Sequence, residues 1–202
     1  AARLDDLVAR AAEVLKGEAP ANGCLLRGFS SAPDIPLMGD VYKIKPVAVA
    51  TYPMYKGLAK LVGMNVVEAG ETLDQLFDSV GRLWSDYDYF YVHVKYTDSR
   101  GEDGDFEGKK KVVETVDALL PRLLALSPDV LVITGDHSTP SVMSGHSWHP
   151  VPFLLASEFV RGGDSKSFDE RECRIGAGGR IEAKKLLGLM LAHARRLDKF
   201  GA

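Results

Sequence analysis

Three short stretches concentrate side chains that can bind a metal ion. Asp98 opens the run Asp-Ser-Arg-Gly-Glu-Asp-Gly-Asp, which also holds Glu102, Asp103 and Asp105. Asp136 and His137 are adjacent in Gly135-Asp-His-Ser-Thr-Pro140, and His146 and His149 lie in Gly145-His-Ser-Trp-His-Pro150. Carboxylate oxygen mixed with imidazole nitrogen suits Mn²⁺, Zn²⁺ or Fe²⁺. An adjacent Asp-His pair in a tight turn can aim its two side chains apart. That fits a bridge between two ions roughly 3.5–4 Å apart, as two-metal phosphoryl transfer uses. Each stretch also has a plainer reading. Residues 98–105 would serve as a solvated loop, or as a Ca²⁺ loop, although alternating acids with a distal Glu are a poor match. Asp136-His137 reads equally as a simple turn, and His146 and His149 as ordinary loop residues. His93, inside a strand pattern, reads as a packed core histidine, and His193 as a surface residue. Other chemistries lack their motifs: there is no G-x-S-x-G elbow and no G-x-x-x-x-G-K-[ST] phosphate loop. Gly176-Ala-Gly-Gly179 follows no suitable strand, and Lys109-Lys-Lys111 reads as a solvated helix face.

For three separated stretches to converge, strands must deliver them to one edge of a sheet, where α/β proteins bind ligands. The hydrophobic pattern supplies such strands. Buried strands are expected at 23–27, 46–51, 65–67, 87–96, 129–134 and 152–156, with 129–134 reading as fully buried and parallel. Helical spacing appears at 4–15, ending at Gly17, and at 54–61 and 71–84. It recurs at 106–126, with a kink expected at Pro121, and in an amphipathic segment at 181–197. The fold class is therefore α/β. A change of rhythm near Gly81 suggests two parts, residues 1–80 and 81–202.

Composition limits the function. With 202 residues, 46% hydrophobic and 26% charged, the chain is neither disordered nor collagen-like. A net charge of -3 offers no basic field for nucleic acid or acidic lipid. No apolar run approaches the roughly 18–20 residues of a membrane span, and the acid-containing first residues read unlike a signal peptide. Cys24 and Cys173 read as buried small hydrophobes, and a cytoplasmic location is expected.

Beyond this physical reading, the motifs resemble those of a known family. Asp98 with Gly-Glu-Asp-Gly-Asp105, Thr134-Gly-Asp-His-Ser-Thr-Pro140 and His146-Ser-Trp-His-Pro-Val-Pro152 are similar to the C-terminal metal motifs of cofactor-independent phosphoglycerate mutases. The archaeal-type branch, in the alkaline phosphatase superfamily, is the nearest pattern. Leu25-Leu-Arg-Gly28, Tyr52-Pro-Met-Tyr-Lys-Gly57 and Leu61-Val-Gly-Met64 resemble that branch's inserted domain. The resemblance implies an alkaline-phosphatase-like three-layer α/β/α sheet with part of a smaller inserted α/β domain. It implies interconversion of 3-phosphoglycerate and 2-phosphoglycerate, a glycolytic and gluconeogenic step, through a phosphoserine and with two divalent ions, Mn²⁺ before Mg²⁺ or Zn²⁺. By motif, Asp98 and His146 would ligate one ion and Asp136 and His137 the other, with Arg27 and Lys56 holding substrate phosphate or carboxylate.

Two departures stand out. The family's usual His four residues after Asp98 is Glu102 here, a carboxylate ligand that would harden the site toward Mn²⁺ or Mg²⁺. The family's early metal-binding Asp and nucleophilic Ser have no counterpart, and family chains are about twice as long. The chain therefore reads as a C-terminal half that needs the N-terminal half as partner, and this segment alone is not expected to turn over. Open alternatives are a metal-dependent phosphohydrolase or phosphonate-acting relative, and a non-catalytic fragment binding a phosphorylated ligand.

Overall fold

A computed structural model describes residues 2–197. They form two compact units that divide between Ile35 and Pro36. The first holds helix α1 (Ala2–Leu15) and an irregular stretch up to residue 35. The strand expected at 23–27 does not form: Leu25 is 85% exposed. A strand needs a neighbour for its backbone N–H and C=O groups, and among the described residues none pairs with this segment. Cys24 is accordingly exposed rather than buried, and Arg27 is exposed as well.

The second unit runs α2 (Met38–Tyr42), β1 (Pro46–Ala50), α3 (Pro53–Leu61), β2 (Asn65–Val67), α4 (Leu73–Leu83) and β3 (Tyr89–His93). It continues through α5 (Tyr96–Glu102), α6 (Phe106–Leu124), β4 (Val130–Thr134), β5 (Phe153–Ser157), α7 (Glu170–Cys173) and α8 (Leu186–His193). β1 lies between β2 and β3, parallel to both, with Val47 opposite Asn65 on one side and Phe90 on the other. Its PVAVA sequence has no polar alternation because both faces are covered, and Val47 and Val49 are 0% exposed. Burial of that kind stabilises by roughly 1.5–3 kcal/mol per valine. Gly81 lies within α4, and the β1–β3 pairing joins segments on either side of it.

Helices α4 and α6 cover this sheet. Val49, Leu76, Phe77, Val80 and Leu119 form the core between them. α4 starts at a capping box in which the Thr72 hydroxyl accepts from Gln75 N–H and the Gln75 side chain accepts from Thr72 N–H. α6 starts at Asp105, whose carboxylate accepts from Gly108 N–H at 2.8 Å, and it continues through Pro121 to Leu124. Arg122 ties the two helices, donating to Asp74 at 2.8 Å and Asp78 at 3.0 Å.

Three expectations need correction. β4 is antiparallel, paired with β5 so that Val132 faces Leu155, and it is half-buried rather than sealed. A five-residue apolar run carries no information on partner direction, and the chain returns through residues 135–152 to pair with itself. The closing helix is α8 alone, entered from a 3-10 turn at Ala183–Lys185, and its LLGLMLAH sequence is apolar on every side rather than amphipathic. Cys173 is only half-buried. None of the described helices is long and apolar enough to cross a membrane.

Candidate metal centre

The acidic run after β3 begins as a helix rather than a loop, and only Asp103–Asp105 lie in the turn that follows. Residues 96–102 form α5, and the four-residue spacing of Asp98 and Glu102 sets both on one helix face. Gly101, on the same helix, abuts the segment after β4: a Cβ there would lie 2.4 Å from the Thr139 carbonyl oxygen. That segment carries Asp136, His137 and Thr139. The next one, bearing His146, is held beside it by a bridge in which Ser147 N–H donates to Ser138 C=O at 2.9 Å.

Five predicted residues meet here. His146 Nε2 lies 3.5 Å from Asp98 Oδ1 and 3.5 Å from Glu102 Oε1. His137 Nδ1 is 3.9 Å from Asp98 Oδ1, while its Nε2 is 3.6 Å from Asp136 Oδ2. The His137 and His146 rings are 3.9 Å apart at their centroids. Asp98, His137 and His146 offer ligand atoms within 4.8 Å of one another, a donor set of oxygen and nitrogen that fits a divalent first-row ion.

The remaining predicted residues lie elsewhere. Lys56 Nζ donates to Glu68 Oε2 at 3.0 Å, and Arg27 belongs to the first unit. His149 meets Ser147 Oγ at 2.8 Å and stacks on Trp148. His193 is half-buried and 2.8 Å from Ser157 Oγ, so it is not the free surface residue expected.

Residues that the sequence reading missed surround the cluster. Lys95 donates to Asp98 Oδ2 and lies over the Tyr52 ring at 5.0 Å. Thr139 Oγ1 is 2.5 Å from Asp98 Oδ1. Burial pushes the Asp98 carboxyl up, but hydrogen bonds from Lys95 and Thr139 outweigh it and hold the group below its ordinary value. Asp136 behaves alike: burial raises it, and hydrogen bonds from the Tyr55 phenol and backbone N–H groups bring it lower. Tyr55, one residue before Lys56, is raised chiefly by its bond to Asp136, and its ring stacks on His93 at 3.8 Å. His93 is packed, as its strand position suggested, and burial lowers its pKa. Beside it, burial pushes the Tyr91 phenol up to about 12.

The model of the metalloenzyme superfamily matches residues 12–193 of the chain. A probable 2,3-bisphosphoglycerate-independent phosphoglycerate mutase of Thermosipho africanus is 60% identical over 190 residues, 94% of this chain and 47% of its own length. One from Thermus thermophilus is 51% identical across 100% of this chain and 50% of its own. The chain thus spans about half the length of the curated relatives it matches. A solved Pyrococcus horikoshii protein superposes with a TM-score of 0.89 at 33% identity, covering 98% of this chain and 58% of that one. The cofactor-independent phosphoglycerate mutase of Thermoplasma acidophilum shares the fold, with a TM-score of 0.67 at 23% identity over 90% of this chain and 45% of its own.

Proposed function

Because the chain belongs to the metalloenzyme superfamily, we propose that it is the metal-binding C-terminal half of a phosphoglycerate mutase. The reaction is the interconversion of 3-phosphoglycerate and 2-phosphoglycerate. The nucleophilic serine and the remaining ligands come from the part of the relatives' length that this chain does not match. The observation carrying this reading is the meeting of Asp98, Glu102, Asp136, His137 and His146 from three separate segments.

In this reading Asp98, Glu102 and His146 hold one divalent ion, and Asp136 and His137 hold a second. Mn²⁺ suits the oxygen-rich first set best, with Mg²⁺ and Zn²⁺ as alternatives. When bound, the ions supply charge for the phosphoryl group and lower the pKa of the attacking hydroxyl. The chain's own residues orient the ligands: Lys95 occupies the second oxygen of Asp98, leaving Oδ1 toward His146, and the Tyr55 phenol holds one Asp136 oxygen. Lys56 is a proposed contact for substrate phosphate or carboxylate, and a ligand reaching it displaces Glu68. A cytoplasmic location goes with this reading.

The test completes the chain to its relatives' length and follows both phosphoglycerates after adding either one with Mn²⁺. Isomerisation is expected. Phosphate release without isomerisation would replace the mutase reading by a hydrolase, and failure of the chain to take up Mn²⁺ would remove the metal centre.

A further inference from the structure

Thr139 is 4% exposed, and its hydroxyl touches two of the residues assigned as ligands. Oγ1 lies 2.5 Å from Asp98 Oδ1 and 3.0 Å from His137 Nδ1. A hydroxyl has one proton to give, and an ionised carboxylate can only accept. The proton therefore goes to Asp98. Toward His137 the threonine oxygen presents a lone pair, so Nδ1 must carry hydrogen and donate. A neutral imidazole has one N–H, which leaves Nε2 bare. Nε2 is also the nitrogen facing Asp136, at 3.6 Å from Oδ2, which accepts from the Tyr55 phenol and keeps a second lone pair. Two lone-pair donors thus face each other with no proton between them, an arrangement that a cation satisfies.

Nothing about Thr139 is loose. Its β-branched side chain has few rotamers. Its carbonyl accepts from Lys109 Nζ of α6 at 2.5 Å, and Gly101 of α5 abuts that same carbonyl. Three elements, α5, α6 and the segment after β4, therefore set one hydroxyl. We infer that Thr139 is a positioning residue: it fixes His137 as the Nδ1–H tautomer and so commits Nε2 to the ion shared with Asp136. It also withdraws Nδ1 from the Asp98–His146 group, which divides five ligands between two ions. The consequence for metal rests on the reading proposed above; the tautomer does not.

The experiment is ¹⁵N NMR of the imidazoles in the metal-free chain at alkaline pH, with the His137 signals identified by their loss in His137→Gln. Wild type is expected to show Nδ1 protonated and Nε2 bare. Thr139→Ser should keep that pattern, and Thr139→Val should give a mixture of tautomers. Mn²⁺ affinity, titrated directly by electron paramagnetic resonance, should fall about tenfold or more in Thr139→Val and recover in Thr139→Ser, as for other outer partners of a metal ligand. A wild-type His137 protonated at Nε2 overturns the inference, whatever the variants do. So does a Thr139→Val protein with the wild-type tautomer. Absence of Mn²⁺ uptake by wild type would instead count against the metal centre, with the tautomer still decided by the spectrum.

Discussion

Replacing Gly101 by alanine sets two opposing effects against each other. Gly101 is buried in α5, where alanine favours the helix by about 0.8–1 kcal/mol. The added methyl, however, would sit 2.4 Å from the Thr139 carbonyl oxygen and 3.0 Å from its Cγ2. Ordinary contact begins at 3.4 Å, so α5 and the segment after β4 must part by about 1 Å. The obstacle is backbone that Lys109 also holds, so it cannot rotate away. Overpacking of this kind costs about 1–3 kcal/mol, so a net loss of about 1 kcal/mol is expected after the helical gain. The same displacement lengthens the 2.5 Å bond from Thr139 to Asp98, and Mn²⁺ affinity should drop about tenfold, as when an outer-shell partner is removed. Urea unfolding and a Mn²⁺ titration on Gly101→Ala measure the two effects. A variant more stable than wild type with unchanged affinity would show that the close approach is not constraining, and the argument would fail.

Two further substitutions probe the proposed ligands directly. His146→Ala removes the imidazole 3.5 Å from both Asp98 and Glu102, and should abolish mutase activity in the completed protein and weaken Mn²⁺ uptake by the chain; wild-type turnover would refute the assignment. Glu102→His exchanges oxygen for nitrogen at the position one turn beyond Asp98 and should retain activity while shifting competition between Mn²⁺ and Zn²⁺ toward Zn²⁺. An unchanged preference in paired titrations would remove Glu102 from the ligand set.

What the sequence made legible was the type and order of the chemical groups. Asp-His after an apolar run, and His146 a few residues on, are local signals, as are the β1 and β3 strands and the long α6 pattern. The misreadings came where partners decide. Ser99, Gly101 and Gly104 look like loop residues, so α5 was hidden; yet Gly101 is required by contact with Thr139, 38 positions away. Without that helix the four-residue spacing of Asp98 and Glu102 had no geometric meaning. The direction of β4 and the absence of a strand at 23–27 were likewise set by which neighbours exist. Lys95 lies in no motif, Tyr55 and Thr139 sit inside motifs that give them no role, and only their contacts distinguish the three from ordinary polar residues.

The uneven sealing of the strands has a consequence for how the molecule breathes. β1, paired on both sides and 0% exposed over Val47 to Ala50, should release its amide protons to solvent only when the whole unit opens. β3 and β4, each with one partner strand among the described residues and half-exposed, should fray more readily than β1. The carboxylates and imidazoles lie on α5 and on the segments after β4, directly downstream of these looser strands, so an ion captured there would tie the two chain segments together. At a free concentration one hundred times its dissociation constant, such a clasp deepens the native well by about 2.7 kcal/mol.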